Sequence, residues 1–117
     1  MNKATKTKAM QGIRKFLEMR GFEIVEDGWK SGKNRIDFVA RDEDDLVFVD
    51  CHVHGDTGEG FPADAPDRAA SERVAAAYLA QHDGLEQTMI RFDIVSMLVL
   101  SDSRAMLRHY RNALSAA

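Results

Sequence analysis

Apolar positions along this chain recur with two spacings, and the spacings divide it into elements. Over residues 4–20, Ala9, Met10, Ile13, Phe16, Leu17 and Arg20 follow the i, i+3, i+4, i+7 rhythm of one helical stripe. Thr5 or Thr7 is the expected cap at its start, and Gly21 the expected terminator. Phe22–Val25 then begins a strand, and Gly28 opens a basic loop running to Arg35. Arg35–Arg41 alternates as a second strand, with Ile36, Phe38 and Ala40 on one face and Asp37 and Val39 on the other. Asp42–Asp45 is too short for a helix, so the next strand should return antiparallel as a hairpin. Pro66 and Asp67 suit the start of a second helix, striped by Ala70, Val74, Ala77, Tyr78 and Gln81 and ended by Gly84. Met89–Leu100 reads as a strand after a helix, a setting for parallel pairing. Ser101-Asp102-Ser103 resembles the cap of a last helix carrying Ala105, Met106, His109, Tyr110 and Ala113. The order α-β-β-β-α-β-α implies one α/β domain over residues 1–117, a mixed sheet of about four strands flanked by helices.

One stretch departs from simple alternation. In Leu46–His54, LVFVDCHVH, one face carries Val47, Val49, Cys51 and Val53. The other carries Leu46, Phe48, Asp50, His52 and His54. The first half is apolar on both faces, as in a central strand. The second half turns one face into a carboxylate and two imidazoles, and a rigid strand is a good platform for a site. Asp37 lies in the neighbouring strand, within an otherwise apolar run. Buried acids require a hydrogen bond, a counter-charge or a metal. Two converging carboxylates, Asp37 and Asp50, suit Mg²⁺ or Mn²⁺. His52, two residues beyond Asp50, points the same way and could orient or deprotonate a water. A second metal reading takes Asp50, His52 and His54, with Asp37, as a Zn²⁺ set, because imidazoles favour transition metals.

Composition narrows the class. The 117 residues are 44% hydrophobic and 30% charged, as in a globular protein. No apolar run approaches a membrane span, and the first residues lack a signal-peptide core, so a cytoplasmic protein without a membrane partner is expected. Cys51 is the only cysteine and is expected to be a small buried hydrophobe. The net charge of −3 hides a balance of +5 over residues 1–41 and −10 over residues 42–88. Lys30, Lys33 and Arg35 in the Gly-rich loop are candidates to approach phosphate, with Trp29 able to stack on a base or to fold over the core edge. The acidic run 42–45 lacks the Gly and terminal Glu of an EF-hand and reads as a solvated turn. Gly55–Pro66 reads as a mobile loop over the site mouth. No serine sits in a nucleophile-elbow context, so Ser-His-Asp chemistry is not supported.

The chain resembles the small YraN-like endonuclease family, within the restriction-endonuclease-like PD-(D/E)XK superfamily. The resemblance runs from about residue 9 to the C-terminus. It rests on Phe16-Leu17-x-x-x-Gly21-Phe22, Ile36-Asp37-Phe38-Val39-Ala40, Leu46-Val47-Phe48-Val49-Asp50, Ala76-x-Tyr78-Leu79, Arg91-Phe92-Asp93-Ile94-Val95 and His109-x-x-Asn112-Ala113. It implies a restriction-endonuclease-like fold and a metal-dependent nuclease acting on nucleic acid, DNA before RNA, with a possible homodimer. Asp37 matches the first metal-binding Asp, and Asp50 replaces the second acid, usually Glu. The motif lysine falls at His52 and a frequent arginine at His54. Asn34-Arg35 stand where Gly-Glu is usual, and Met10 where the first helix usually carries Glu. These departures keep a rival open: a catalytically degenerate module on the same fold that binds nucleic acid or protein.

Overall fold

The computed structural model describes residues 1–114, so the last three residues of the expected 1–117 domain lie outside the described part. Its elements are α1 (Lys3–Met19), β1 (Glu23–Ser31), β2 (Asn34–Asp42), β3 (Asp45–Gly55), α2 (Arg68–Ala80), β4 (Ile90–Ser101) and β5 (Arg104–Tyr110). The five strands form one sheet in the order β1-β2-β3-β4-β5. β3 and β4 run parallel, and the other neighbours are antiparallel. The protein is therefore α/β with a mixed five-stranded sheet and two helices. Neither helix is long and apolar enough to cross a membrane.

The helices lie on opposite faces. Ala9, Ile13 and Leu17 of α1 are buried against Phe38, Ala40, Val47, Val49, Val95 and Met97. Val74, Ala75 and Tyr78 of α2 are buried against Val39, Leu46 and Phe48. This is why β3 is apolar on both faces at its start: each face meets a helix. Asn2 caps α1, its Oδ1 accepting the Thr5 N–H at 2.8 Å, in place of the expected threonines. Gly21, at φ 90°, closes α1 as expected. The Phe22 N–H reaches back to the Leu17 carbonyl at 3.0 Å, and both side chains are buried in the α1 cluster. Asp67 caps α2 through Ala70, and the helix ends at Ala80, before Gly84.

Three expectations are corrected. The basic loop Gly28–Arg35 is mostly strand: Trp29 pairs with Ile36 and Lys30 with Arg35, leaving Gly32-Lys33 as the turn. Trp29 packs edge-on against Tyr78, with ring centroids 5.1 Å apart, and so folds onto the core edge. The expected last helix is β5. Asp102-Ser103 form a two-residue turn, and Val95 pairs with His109 and Met97 with Leu107. Helical spacing through Met106, His109 and Tyr110 competed with alternation through Leu107 and His109, and a free sheet edge beside β4 decided it. The acidic turn is also more than solvated. Asp42 lies 2.9 Å and Asp45 3.3 Å from the Arg91 guanidinium.

That guanidinium belongs to a buried charge cluster on the α1 side of the sheet. Arg91 Nε donates to Asp93 Oδ1 at 2.9 Å, and His109 Nε2 lies 2.8 Å from Asp93 Oδ2. Asp93 is also met by the Asn112 N–H at 2.9 Å. Asn112 has φ 55°, a left-handed conformation that Asn tolerates better than most residues. Its place in the sequence pattern thus has a backbone reason: it turns the chain after β5 so that its N–H meets a buried carboxylate.

Candidate active site

The site begins where β2 and β3 part. Their last paired residues on this side are Phe38 and Val49. One step further, Asp37 Oδ2 accepts the Cys51 N–H at 2.7 Å, so a side chain replaces the next ladder bond. The alternation of β2 breaks here. Phe38 packs in the α1 cluster while Ile36 packs with Trp29 in the α2 cluster, not with Phe38 and Ala40 as the strand pattern predicts. The carboxyl of Asp50 comes within hydrogen-bonding reach of Asp37. Burial above all pushes the Asp37 pKa up to about 6, and Asp50 adds to the rise. The Cys51 N–H and the charge of Arg35 act against it. Cys51 packs at the margin of the α1 core, and burial raises its thiol far above the ordinary range, which leaves it a poor nucleophile.

On the other side of Asp50 stands His52. Its Nε2 lies 3.0 Å from Asp50 Oδ2, and its Nδ1 lies 2.6 Å from Asp64 Oδ1. Burial works against charge on this ring, but the two carboxylates outweigh it, and the pKa rises. His54 Nε2 lies 3.2 Å from the same Asp64 oxygen. Ser96 Oγ donates to Asp64 Oδ2 at 2.7 Å. Burial alone would raise the pKa of Asp64, but Ser96 and His52 pull it below the usual carboxylate range. The side chain of Asp64 is only 5% exposed, against 54% for Asp50.

Local structure explains this arrangement. α2 covers Leu46 and Phe48, the first residues on its side of β3. Beyond them on the same face, His52 and His54 are met instead by Asp64 of the loop between β3 and α2, while Asp50 stays more than half exposed. Past Asp56, whose N–H donates to the Val99 carbonyl at 3.1 Å, the loop expected to be mobile is fastened by side chains: Asp64 by Ser96, and Phe61 by Arg108, whose guanidinium carbon lies 4.3 Å from the ring centroid. The structure thus brings Asp37, Asp50 and His52 together and directs His54 toward Asp64.

Asp64 is the residue that sequence reading missed. It follows His54 by ten positions inside a Gly- and Pro-rich loop, and no fixed spacing ties it to the strand. The only signal was an acid in a loop expected to cover the site.

Cations border the Asp37 side. An open groove between α1 and the β1–β2 hairpin is lined by Lys3, Lys6, Met10, Arg14, Asp27 and Asp37. Arg14 is held by Asp27 at 2.6 Å. Lys30 and Arg35 face each other across β1 and β2, both exposed, with Lys33 in the adjoining turn. Lys3 and Lys6 of α1 therefore share a groove with Asp37, while Lys8 turns away and donates to the Asp102 carbonyl at 2.8 Å.

A sequence model described as "Uncharacterised protein family UPF0102" matches residues 11–97, which include every strand residue of the site. A UPF0102 protein of Beutenbergia cavernae is 35% identical over 100 residues, covering 83% of this chain and 84% of its own length. A second, from Chlorobaculum tepidum, is 33% identical over 97 residues, covering 80% of this chain and 74% of its own. A third, from Roseiflexus castenholzii, is 35% identical over 88 residues, covering 73% and 71%. With more than half of its length matched, the chain belongs to the UPF0102 family, the YraN-like proteins.

Proposed function

We propose that this protein is a divergent metal-dependent endonuclease with a restriction-endonuclease-like core, acting on DNA. One observation carries the reading: Asp37 and Asp50 converge where the β2–β3 ladder ends, held by the Cys51 N–H. Two carboxyls this close repel when both are ionised, and burial makes the cost larger. A divalent cation removes that cost, so the residues present fit Mg²⁺ or Mn²⁺, with Asp37 and Asp50 as its protein ligands. When bound, such an ion would stabilise the charge that builds on a phosphodiester during hydrolysis.

The remaining residues take roles around this pair. His52 has both ring nitrogens on carboxylates, and these shift its equilibrium toward the cation against the effect of burial. It therefore supplies positive charge next to Asp50, where the resemblance places a lysine, and is a weak candidate for a base. Lys3, Lys6, Lys30, Lys33 and Arg35 offer phosphate contacts along the approach to Asp37. Met10 favours the rival reading, a non-catalytic binding module. It lines the Asp37 groove where the resemblance has a glutamate, leaving one carboxylate fewer.

The test is cleavage of single-stranded, duplex and branched DNA with Mg²⁺ or Mn²⁺. Wild type is run beside Asp37→Ala, Asp50→Ala and His52→Lys. Cutting by wild type that disappears in both Asp variants supports the nuclease. No cutting by any folded variant, with DNA binding that depends on Lys30 and Lys33, supports the module.

A further inference from the structure

We propose that His52 Nδ1, His54 Nε2 and an oxygen of Asp64 form a transition-metal site, suited to Zn²⁺, next to the Asp37–Asp50 pair. This inference does not require the nuclease reading, and the two meet at His52, where a metal on Nδ1 takes the place of a proton.

The three ligand atoms lie within 4.8 Å of one another, and among the described residues they are the one such trio of His, Cys, Asp or Glu. Both imidazoles aim a nitrogen at the same oxygen, Asp64 Oδ1, at 2.6 and 3.2 Å. Separations near 3 Å are those of neighbouring ligands around one small cation with bonds of about 2.0–2.2 Å. Two imidazoles and one carboxylate favour Zn²⁺ over Mg²⁺, which prefers oxygen alone.

The surroundings of the trio are stronger support than the trio itself. A ligating histidine usually gives its other ring N–H to a carboxylate, which fixes tautomer and ring orientation. His52 does this: with Nδ1 on the metal side, Nε2 meets Asp50 at 3.0 Å. A ligating carboxylate is usually anchored through its second oxygen. Asp64 does this too, since Oδ2 accepts from Ser96 at 2.7 Å. Ser96 is itself fully buried, in the middle of β4, so the anchor sits on rigid backbone. Two of the three ligands are thus oriented from behind by groups that would not touch the ion.

The ligand set also differs from the Zn²⁺ set that strand alternation suggests. Asp50, His52 and His54 share a face, but Asp50 occupies the far nitrogen of His52 and so stands behind the ligand. Asp64, from the loop, takes its place. His54 borders a solvent-open groove under that loop, with Thr57, Glu59 and Phe61 on its walls, which gives an ion a way in. Three protein ligands leave a fourth position free for water, the arrangement of a reactive zinc centre. A metal there keeps positive charge on His52 beside Asp50, as a proton does.

The experiment is Zn²⁺ titration of the untagged, chelator-treated protein by calorimetry, with Co²⁺ substitution read from its visible spectrum. Wild type should bind one equivalent of Zn²⁺ and give the intense Co²⁺ bands of low coordination number. His54→Ala and Asp64→Ala should each weaken binding by about 100-fold, and Ser96→Ala by about tenfold, the usual range for lost anchors. Asp37→Ala should bind Zn²⁺ as wild type does, which separates this site from the carboxylate pair. Far-UV circular dichroism checks the fold of each variant. His54 lies at a strand end with a quarter of its side chain exposed, so its variant carries the test if Asp64→Ala does not fold. Absence of stoichiometric Zn²⁺ in wild type, or unchanged affinity in folded His54→Ala, overturns the proposal.

Discussion

Asp37 Oδ2 accepts the backbone N–H of Cys51 at 2.7 Å, one step beyond the last residue pair joining β2 to β3. A side chain there does what a strand carbonyl does elsewhere, and in doing so it fixes an acid at a depth where it is reluctant to ionise. Its pKa, pushed up to about 6 by burial and by Asp50, has a consequence for stability.

The folded state of the metal-free protein holds the Asp37 proton more tightly than the unfolded chain does. Its stability should therefore fall as pH rises from about 4 to about 6, and the deficit persists above that. Asp37→Asn keeps an acceptor for the Cys51 N–H and removes the charge. In chelator at pH 7.5 this variant should be more stable than wild type by about 1–3 kcal/mol, and near pH 4 the difference should vanish. Urea unfolding at the two pH values measures both. A variant less stable than wild type at pH 7.5 would mean that Asp37 is ionised and well satisfied.

Asp93 predicts the opposite pH behaviour. Burial alone would raise its pKa, but His109, Arg91 and the Asn112 N–H outweigh burial and hold it below the usual carboxylate range. Its contribution is thus complete above the unfolded value and is lost as pH falls through the lower folded one. Asp93→Ala strands Arg91 and His109 in the core and should cost about 3–5 kcal/mol. Arg91 has further partners in Asp42 and Asp45, so Asp42→Ala should cost less than Asp93→Ala. Denaturant melts at pH 7 rank the two, and equal losses would show that Asp42 is as essential to the cluster as Asp93.

How much of this was legible in the residues differs element by element. The α1 stripe, the β2–β3 hairpin and the parallel β3–β4 pair follow from local periodicity and connection length, which act over a few residues. The Arg91–Asp93 pair follows from strand alternation. β5 does not, because a seven-residue segment with apolar groups at both spacings is decided by the open edge of β4, a tertiary fact. Met10 beside Asp37 was visible only as a departure from the family's pattern. Asp64 was not visible as a site residue at all: Phe61 on Arg108 and Ser96 on Asp64 bring it in, and both partners come from distant strands.

Those two fastenings predict how the loop opens. The Phe61–Arg108 contact pairs a half-buried ring with an exposed guanidinium and is worth about 0.5–1 kcal/mol, while the Asp64–Ser96 bond is part-buried. Phe61→Ala should speed amide exchange and proteolysis across residues 57–61 and leave global stability within about 1 kcal/mol of wild type. Ser96→Ala, which frees Asp64 Oδ2 in a buried setting, should cost about 1–3 kcal/mol. Exchange mass spectrometry of the two variants separates a local opening from a global loss. Equal protection of the loop in wild type and Phe61→Ala would show that Asp64 alone holds it.

Met10 and Asp37 line one groove, so a carboxylate at position 10 would share that groove with one of the two candidate Mg²⁺ ligands. Met10→Glu should then tighten Mg²⁺ or Mn²⁺ binding by about tenfold, because affinity for hard cations rises with ligand charge. It should also lower stability without metal, since a third acid joins two that already repel. Lys6, on the same groove, limits that loss. The double variant Met10→Glu, His52→Lys supplies the helix glutamate and the lysine that the resemblance to the YraN-like family implies at these two positions. If the Asp37–Asp50 pair is a cation site, this protein should cut DNA at least as fast as wild type in Mg²⁺. Mg²⁺ should raise its melting temperature more than it raises that of Asp50→Ala. A double variant that folds, gains no Mg²⁺ affinity and cuts nothing would remove the carboxylate pair from the list of metal sites. The basic groove would then stand as a surface for binding alone.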